Sequence, residues 1–357
     1  MAEKQKILHI VEAMGGGVFT YIVTLANALC ENYDVTIAYG IRNETPKNYK
    51  TYFDERVHLI KVNNFKRAVS LTKDFKATRE LKKVCNQLKP DVIHLHSSKA
   101  GALGRLFLRN KVSRMFYTPH GYSFFMEDIA PIKRRLYWAI EKICGYSECI
   151  TIACGEGEWE QSQKVCRRST YISNGIEMKH IDKVMSEPFQ KKMPFTVYTV
   201  GRIDYQKNPV MFERIASLLP EIHFCWIGDG DMREELKSPN IEVTGWKEAE
   251  EALRIARQGD VFILPSFWEG LPISLLEAMY MKKPCIVSNV VGNRDIVTDG
   301  ATGYICETEE QFVEKILYLK NKKGWEVVEQ AYHEILEHYN DEWMCERYAQ
   351  LYMDDNI

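Results

Sequence analysis

No run of apolar residues in this chain of 357 approaches the roughly eighteen needed to cross a bilayer as a helix. The opening MAEKQKILHIVEA also lacks the long apolar core of a secretory leader, so the expectation is a cytoplasmic chain, soluble or peripheral at the inner face of the plasma membrane. The 10 cysteines include no CxxC pair and no zinc-like cluster, and a chain of this length needs no disulfide staples; reduced thiols are expected. A GxGxxG turn is missing: the first strand ends instead in Gly15-Gly16-Gly17, and no acidic residue closes a clear second strand in the ribose-reading position, which disfavours a nicotinamide-binding turn. The formal net charge is only −2, and no nucleic-acid partner is expected.

That near-neutral total conceals an uneven distribution. Residues 1–185 carry 29 Lys and Arg against 19 Asp and Glu, whereas residues 186–357 carry 18 against 30. An anionic contact for the first half follows, such as a phosphorylated acceptor or a membrane leaflet; a solvated surface that drifted in composition is the other reading. The length exceeds what one hydrophobic core usually supports, and the apolar fraction of 45% is enough for two.

Short apolar runs alternate with polar, helix-patterned segments. KILHIV leads through the glycine triplet into FTYIVTLANAL, and DVTIAYG, VHLIKV, DVIHLH, MFYTPH, CITIACG and STYISNG follow. The polar stretch 178–194 reads as a linker. A second series, FTVYTVGRID, HFCWIGDG, IEVTGW, DVFILPS, PCIVSN and TGYIC, then begins. The pattern predicts an α/β protein of two Rossmann-like parallel-sheet domains, 1–180 and 190–340, facing across a cleft. The closing segment, 341–357, reads as an amphipathic helix on Trp343, Tyr348 and Leu351 that crosses back to the first domain.

The motifs fall just after strands. In VFILPSFWEGLPISLLEAMY, Glu269 and Glu277 are separated by seven residues across a loop-to-helix junction. Pro272 suits a first helical position, and the amides of Ile273, Ser274 and Leu275 would be left to bind an anion such as a diphosphate. Glu277 could accept from two ribose hydroxyls, with Glu269, Gly270 and Leu271 on the loop beside a sugar. In GRIDYQKNP a strand delivers Arg202, and Lys207 follows one turn later; two cations at a diphosphate would neutralise charge growing on a leaving group.

GRIDYQKNP and EGLPISLLE, with the glycine loop, TPHG, SNGIE, GDG and GW in the same order, resemble the large retaining glycosyltransferase family four of GT-B fold, including its bacterial capsule and exopolysaccharide enzymes. The resemblance implies a sugar transfer from a nucleotide diphosphate donor, most simply a UDP-sugar, without metal or other cofactor. It places Arg202, Lys207, Gly15, Gly16 and Gly17 at the donor phosphates, and Gly228, Gly245, Trp246 and Lys247 around the nucleobase. It also sets His120 and Glu269 at the transferred sugar, as catalytic residues with Arg202 and Lys207. Asn174 and Gly175 would lie by the cleft.

Two features keep alternatives open. His94 and His96 share a strand face and invite a metal, but no third ligand is apparent in sequence, and His96 near the acceptor is the other reading. Tyr122, Phe124, Phe125 and Met126, followed by Lys133, Arg134 and Arg135, suit either contact with an anionic membrane or core packing beside a basic helix face. The expected acceptor is a glycan, preferably polyprenyl-diphosphate-linked as in bacterial surface polysaccharide synthesis. A non-catalytic nucleotide-sugar-binding subunit of the same fold is the alternative function.

Overall fold

The computed structural model describes residues 4–12, 14–42, 45–66, 70–108 and 113–354. They form two compact units, Met1–Asn174 with Asp341–Ile357, and Gly175–Asn340.

In the first unit the strands are β1 (Lys6–Val11), β2 (Asp34–Tyr39), β3 (His58–Lys61), β4 (Val92–His96), β5 (Arg114–Thr118), β6 (Ile150–Ala153) and β7 (Ser169–Tyr171), joined by helices α1 (Gly16–Leu29), α2 (Leu71–Leu88), α3 (Ser97–Phe107), α4 (Pro131–Cys144) and α5 (Glu156–Val165). The seven strands pair in parallel in the order β3-β2-β1-β4-β5-β6-β7. Both faces are covered, which is why the strands are continuous apolar runs rather than alternating ones. Ile7, Val11 and Val92 join a cluster with α1, whereas Leu8, Ile10, Ile93 and Leu95 join a cluster that includes Ala77 and Leu81 of α2.

The second unit contains α6 (Met178–Ser186), β8 (Thr196–Val200), α7 (Pro209–Leu218), β9 (His223–Ile227), β10 (Ile241–Val243), α8 (Ala249–Gln258), β11 (Val261–Leu264), α9 (Ile273–Tyr280), β12 (Cys285–Ser288), α10 (Val291–Arg294), β13 (Tyr304–Cys306), α11 (Glu309–Lys320) and α12 (Val327–His338). Its sheet runs β10-β9-β8-β11-β12-β13, again parallel. Strand order reverses between β1 and β4 in one unit and between β8 and β11 in the other. In such sheets, ligands bind beyond the carboxyl ends of the strands at this reversal.

Two expectations are corrected. The stretch read as a linker is largely helical: Ile181 and Val184 of α6 are buried, and the Arg257 guanidinium of α8 donates to the carbonyls of Val184 at 2.8 Å, Met185 at 2.8 Å and Glu187 at 3.0 Å. A cation on the terminal carbonyls of a short polar helix supplies what its sequence pattern does not advertise. In the closing helix, α13 (Asp341–Met353), the buried stripe is Met344, Tyr348 and Tyr352 rather than Trp343, Tyr348 and Leu351, which are only partly covered apart from Tyr348. Spacing by four follows the helix ridge, and this stripe packs with α1 in the first unit.

Tyr348 is fully buried against Tyr21, with ring centroids 6.2 Å apart. Tyr348→Ala is expected to destabilise the first unit by about 3–5 kcal/mol. Domain-resolved denaturation would read this as a loss in the first unit's transition with the second unit's transition unmoved.

Candidate active site

The second unit brings the sequence motifs together at the β8/β11 reversal. Beyond β8 the chain turns through Gly201 and Arg202 into Asp204, whose carboxylate accepts from the Lys207 amide at 3.2 Å and starts one turn of 3-10 helix. Asn208, with φ 54°, caps α7: its side chain accepts from the Met211 amide at 3.2 Å and donates to the Pro265 carbonyl beyond β11, also at 3.2 Å. The Phe267 amide donates to the Gln206 carbonyl at 2.9 Å. These bonds tie the GRIDYQKNP loop to the PSFWEG loop independently of any ligand.

On that frame Lys207 Nζ lies 2.6 Å from Glu269 Oε1, and Gln206 Nε2 donates to Glu269 Oε2 at 3.2 Å and to the Trp268 carbonyl at 2.9 Å. The carboxylate is 6% exposed and the ammonium 17%, so water screens this pair far less than a surface pair. A charge pair removed from water needs its remaining lone pairs satisfied, which is the part Gln206 plays. Arg202 lies beside Asp204, with Nε 3.1 Å from the carboxylate.

The helix after this loop begins one residue later than expected. Pro272, with φ −75° and ψ 113°, is the N-cap of α9 rather than its first residue, and the Leu275 amide bonds back to the Pro272 carbonyl at 3.1 Å. Of the three amides assigned to an anion, those of Ile273 and Ser274 therefore stay without a partner among the described residues. With no acidic residue in the first turn, the helix start keeps its positive potential. The Leu271 side chain is buried and serves packing. Glu277 is half-buried, and desolvation pushes its carboxyl up to about 7.

Two glycines fix the surrounding loops. Gly228 has φ 143°, and a Cβ there would stand 2.1 Å from the Gly201 carbonyl oxygen, so the GDG and GRID loops touch through backbone alone. A Cβ on Gly292 of α10 would stand 2.1 Å from the Gly270 carbonyl oxygen, which makes α10 the floor under the Glu269–Gly270 loop. Gly245, at φ 73°, adopts the turn its residue type allows; Trp246 is 57% exposed, and Lys247 pairs with Glu251 at 2.7 Å.

In the first unit, Gly15 is the N-cap of α1 in an extended conformation, and Gly16, with φ 58°, opens the helix, followed by Gly17; its first turn also lacks an acidic residue. His120, at φ 54°, ends a series of imidazoles: His9 Nδ1 is 3.0 Å from His96 Nε2, and His96 Nδ1 is 3.1 Å from His120 Nε2. His120 Nδ1 meets the Cys154 sulfur at 3.5 Å. Burial lowers the His120 ring to about 3 and His9 likewise to about 3, so both are neutral. The buried Glu158 carboxylate holds the loop, accepting from the Gly121 amide at 2.7 Å and the Cys154 amide at 2.8 Å. Both ring nitrogens of His120 are thus engaged within its own unit.

The third histidine that the sequence did not reveal is His9. One nitrogen from each of His9, His94 and His96 lies within 4.8 Å of the others, a spacing a metal could use. His94 spends its two nitrogens on Tyr352 and Thr118, and His96 spends its own on His9 and His120; only His9 Nε2 has no partner. A metal there would have to displace these bonds. The aromatic segment Tyr122, Phe124, Phe125 resolves toward packing: Tyr122 is 1% exposed in the core, with the two phenylalanines against it.

With this geometry in place, the chain can be set beside known proteins, and two family models divide it within α6, close to where the units part. The model "Glycosyltransferase Family 4" matches residues 15–180, and "Glycosyl transferases group 1" matches residues 181–338. The chain is a family-four glycosyltransferase. It is similar to the UDP-Gal:alpha-D-GlcNAc-diphosphoundecaprenol alpha-1,3-galactosyltransferase of Escherichia coli, 28% identical with 85% of each chain covered. It is also similar to the GalNAc-alpha-(1->4)-GalNAc-alpha-(1->3)-diNAcBac-PP-undecaprenol alpha-1,4-N-acetyl-D-galactosaminyltransferase of Campylobacter jejuni, 25% identical over 95% of this chain and 97% of that one. Among solved structures, sucrose-phosphate synthase from Thermosynechococcus elongatus superposes with a TM-score of 0.82 at 17% identity, covering 98% of both chains. The GT-B fold class is thereby shared.

Within the glycosyltransferase, Lys207, Glu269 and Gly270 lie on bonded neighbouring loops and Ile273 and Ser274 open the helix that follows, whereas Gly15–Gly17 and His120 belong to the other unit. Sequence reasoning missed Gln206, Asn208, Glu158 and Gly292, because each acts through a partner distant in sequence.

Glu277 gives a measurable signature. Its raised folded value means the folded state holds a proton that the unfolded chain releases near pH 4.3, so stability falls as pH rises from about 4.3 to about 7. Glu277→Gln, neutral at every pH, should therefore gain melting temperature relative to the parent between pH 5 and pH 8, and a pH-independent difference would contradict the assignment.

Proposed function

We infer that this glycosyltransferase is catalytically active and moves a sugar from a UDP-sugar to a polyprenyl-diphosphate-linked glycan, with retention of anomeric configuration and without a metal. The observation that carries the reading is the Lys207–Glu269 pair, held beside the two free amides that open α9. An ammonium and a helix start within one loop system suit a diphosphate, and they supply positive charge that would otherwise require a cation. The wording of the two relatives' names supports the rest: both act on undecaprenol-linked diphosphates, and one takes its sugar from UDP.

In the transfer, the bond from the anomeric carbon to the phosphate oxygen breaks, and the acceptor hydroxyl oxygen bonds to the same face of that carbon. The hydroxyl proton passes to the departing phosphate oxygen, and UDP leaves. Lys207, Arg202 and the Ile273 and Ser274 amides stabilise the charge developing on UDP, while Glu277 accepts from the ribose hydroxyls. Glu269 gives up part of its hold on Lys207 and orients the sugar. The Gly15–Gly17 loop is assigned to the same phosphates, and Gly228, Gly245, Trp246 and Lys247 to the base. His120 remains assigned to the sugar. Its contact with sulfur is the weaker of its two bonds, and a hydroxyl is the better partner.

Lys207→Ala should lower turnover by about two to three orders of magnitude, as removal of one oxyanion donor does, measured as UDP release with the folded state checked by melting temperature. Turnover within a factor of a few of the parent would refute the role. Because ligands stabilise the state they bind, a panel of UDP-, GDP- and dTDP-sugars with a chelator present should raise the melting temperature most with UDP. Equal or greater stabilisation by GDP or dTDP would overturn the donor. Binding with neither transfer nor hydrolysis would favour a non-catalytic subunit.

A further inference from the structure

Beside the loops that carry Lys207 and Glu269 lies a groove of about 570 Å³ to which none of the residues assigned to the donor contributes. That volume is within the roughly 300–1,000 Å³ of small-molecule sites. One part of the lining is aromatic. Tyr205, just ahead of Lys207, stacks on Phe267, just ahead of Glu269, with ring centroids 4.8 Å apart and planes inclined by 23°. The Phe267 amide bonded to the Gln206 carbonyl braces the pair, so both rings belong to the frame that also holds Lys207 and Glu269. Tyr205 nevertheless remains 39% exposed, and Val210, in the first turn of α7 and in the same groove, 36%.

Another part of the lining is acidic. Helix α11, which packs on α7, starts there, and a capping box between Thr308 and Gln311 sets its first turn. Glu307, Glu309 and Glu310 line the groove around that start, against a single guanidinium, that of Arg214 on α7. Arg214 is already committed to Glu309, at 2.8 Å. Glu307 Oε1 accepts from Asn289 Nδ2 at 2.6 Å, and its Oε2 has no partner among the described residues. The groove thus offers carboxylate acceptors and no uncommitted cation.

An occupant must match both parts. The face of an aromatic ring carries negative potential and favours weakly positive C–H groups, and a carboxylate accepts hydrogen bonds but donates none. Like charge repels a phosphate, so neither a nucleotide nor a lipid diphosphate suits this groove. A full cation is disfavoured, because Arg214 and Asn289 already compensate Glu309 and Glu307. A neutral pyranose supplies what remains, a C–H face and a set of hydroxyl donors. We propose that the groove is a saccharide subsite of the second unit, in which a neutral sugar of a glycan lies with its C–H face on Tyr205 and Val210 and donates hydroxyls to Glu307 and Glu310. The observation is a braced, exposed tyrosine ring sharing one groove with a carboxylate oxygen that has no partner. A glycan held there is anchored on the same two loops as Lys207 and Glu269. The subsite goes beyond the donor and acceptor assigned above and does not depend on either.

The test is saturation-transfer-difference NMR on the full chain, with and without excess UDP, using the methyl glycosides of glucose, galactose, N-acetylglucosamine and N-acetylgalactosamine as probes. At least one glycoside should bind in the millimolar range, as suits an open groove with few polar contacts, with transfer strongest to the C–H protons of one ring face and unaffected by UDP. Tyr205→Ala and, separately, Glu307→Gln/Glu310→Gln should each weaken that binding by about tenfold. The second variant alters exposed carboxylates alone, so its melting temperature should match the parent's. No glycoside signal, or equal signals from the parent and both variants, overturns the proposal. A signal that UDP abolishes also overturns it, because the sugar would then occupy the donor site. So does tighter binding of the free-amine glucosamine glycoside than of its N-acetyl form, which would give the groove to a cationic ligand.

Discussion

A positive charge largely removed from solvent at a sheet reversal is the constraint around which the loops of the second unit are arranged. Lys207 cannot stand alone at 17% exposure, so it is paired with Glu269, and Glu269 in turn needs Gln206. That requirement explains why the loops after β8 and β11 are bonded to each other by Asn208 and Phe267, and why Gly292 and Gly228 bring neighbouring backbone against them. A buried ion pair adds little net stability, but losing one partner leaves a costly unpaired charge. The pair therefore fixes the geometry of the two loops more than it adds to stability.

The first unit solves a different problem with neutral groups. Three imidazoles in series, His9, His96 and His120, each give up charge in order to be buried, and the chain of bonds couples the proton position on one ring to the next. The two possible directions of that chain differ at its inner end: in one, His9 Nε2 is a bare acceptor, and in the other an unpaired N–H. Orphaned donors are rarer than orphaned acceptors in buried sites, which favours the direction in which His120 Nδ1 carries the proton toward Cys154. His120 then donates through Nδ1 and accepts from His96 through Nε2.

Much of this was legible in the residues. Every strand proposed from an apolar run is present, because strands buried on both faces read as uninterrupted hydrophobic segments. The glutamate pair and GRIDYQKNP were legible as family motifs since each is a short contiguous run of residues just after a strand. What failed were features whose cause lies elsewhere in the chain. The polar stretch containing α6 has Arg257 on its terminal carbonyls, and Pro272, with ψ 113°, ends an extended loop that is bonded to Gln206 further back. Similarly, the choice between membrane contact and core packing for Tyr122 stayed open until the core around it was known.

The sequence by itself determined the fold class, the order of the motifs and the chemistry to which they belong, since these follow from hydrophobic period, glycine placement and charge within a few residues. Only the tertiary structure decided which charges are paired, which histidine nitrogens are spent and which aliphatic side chains face outward. Those outcomes depend on desolvation and on partners up to 62 residues away in the case of Lys207 and Glu269, and no local pattern encodes them.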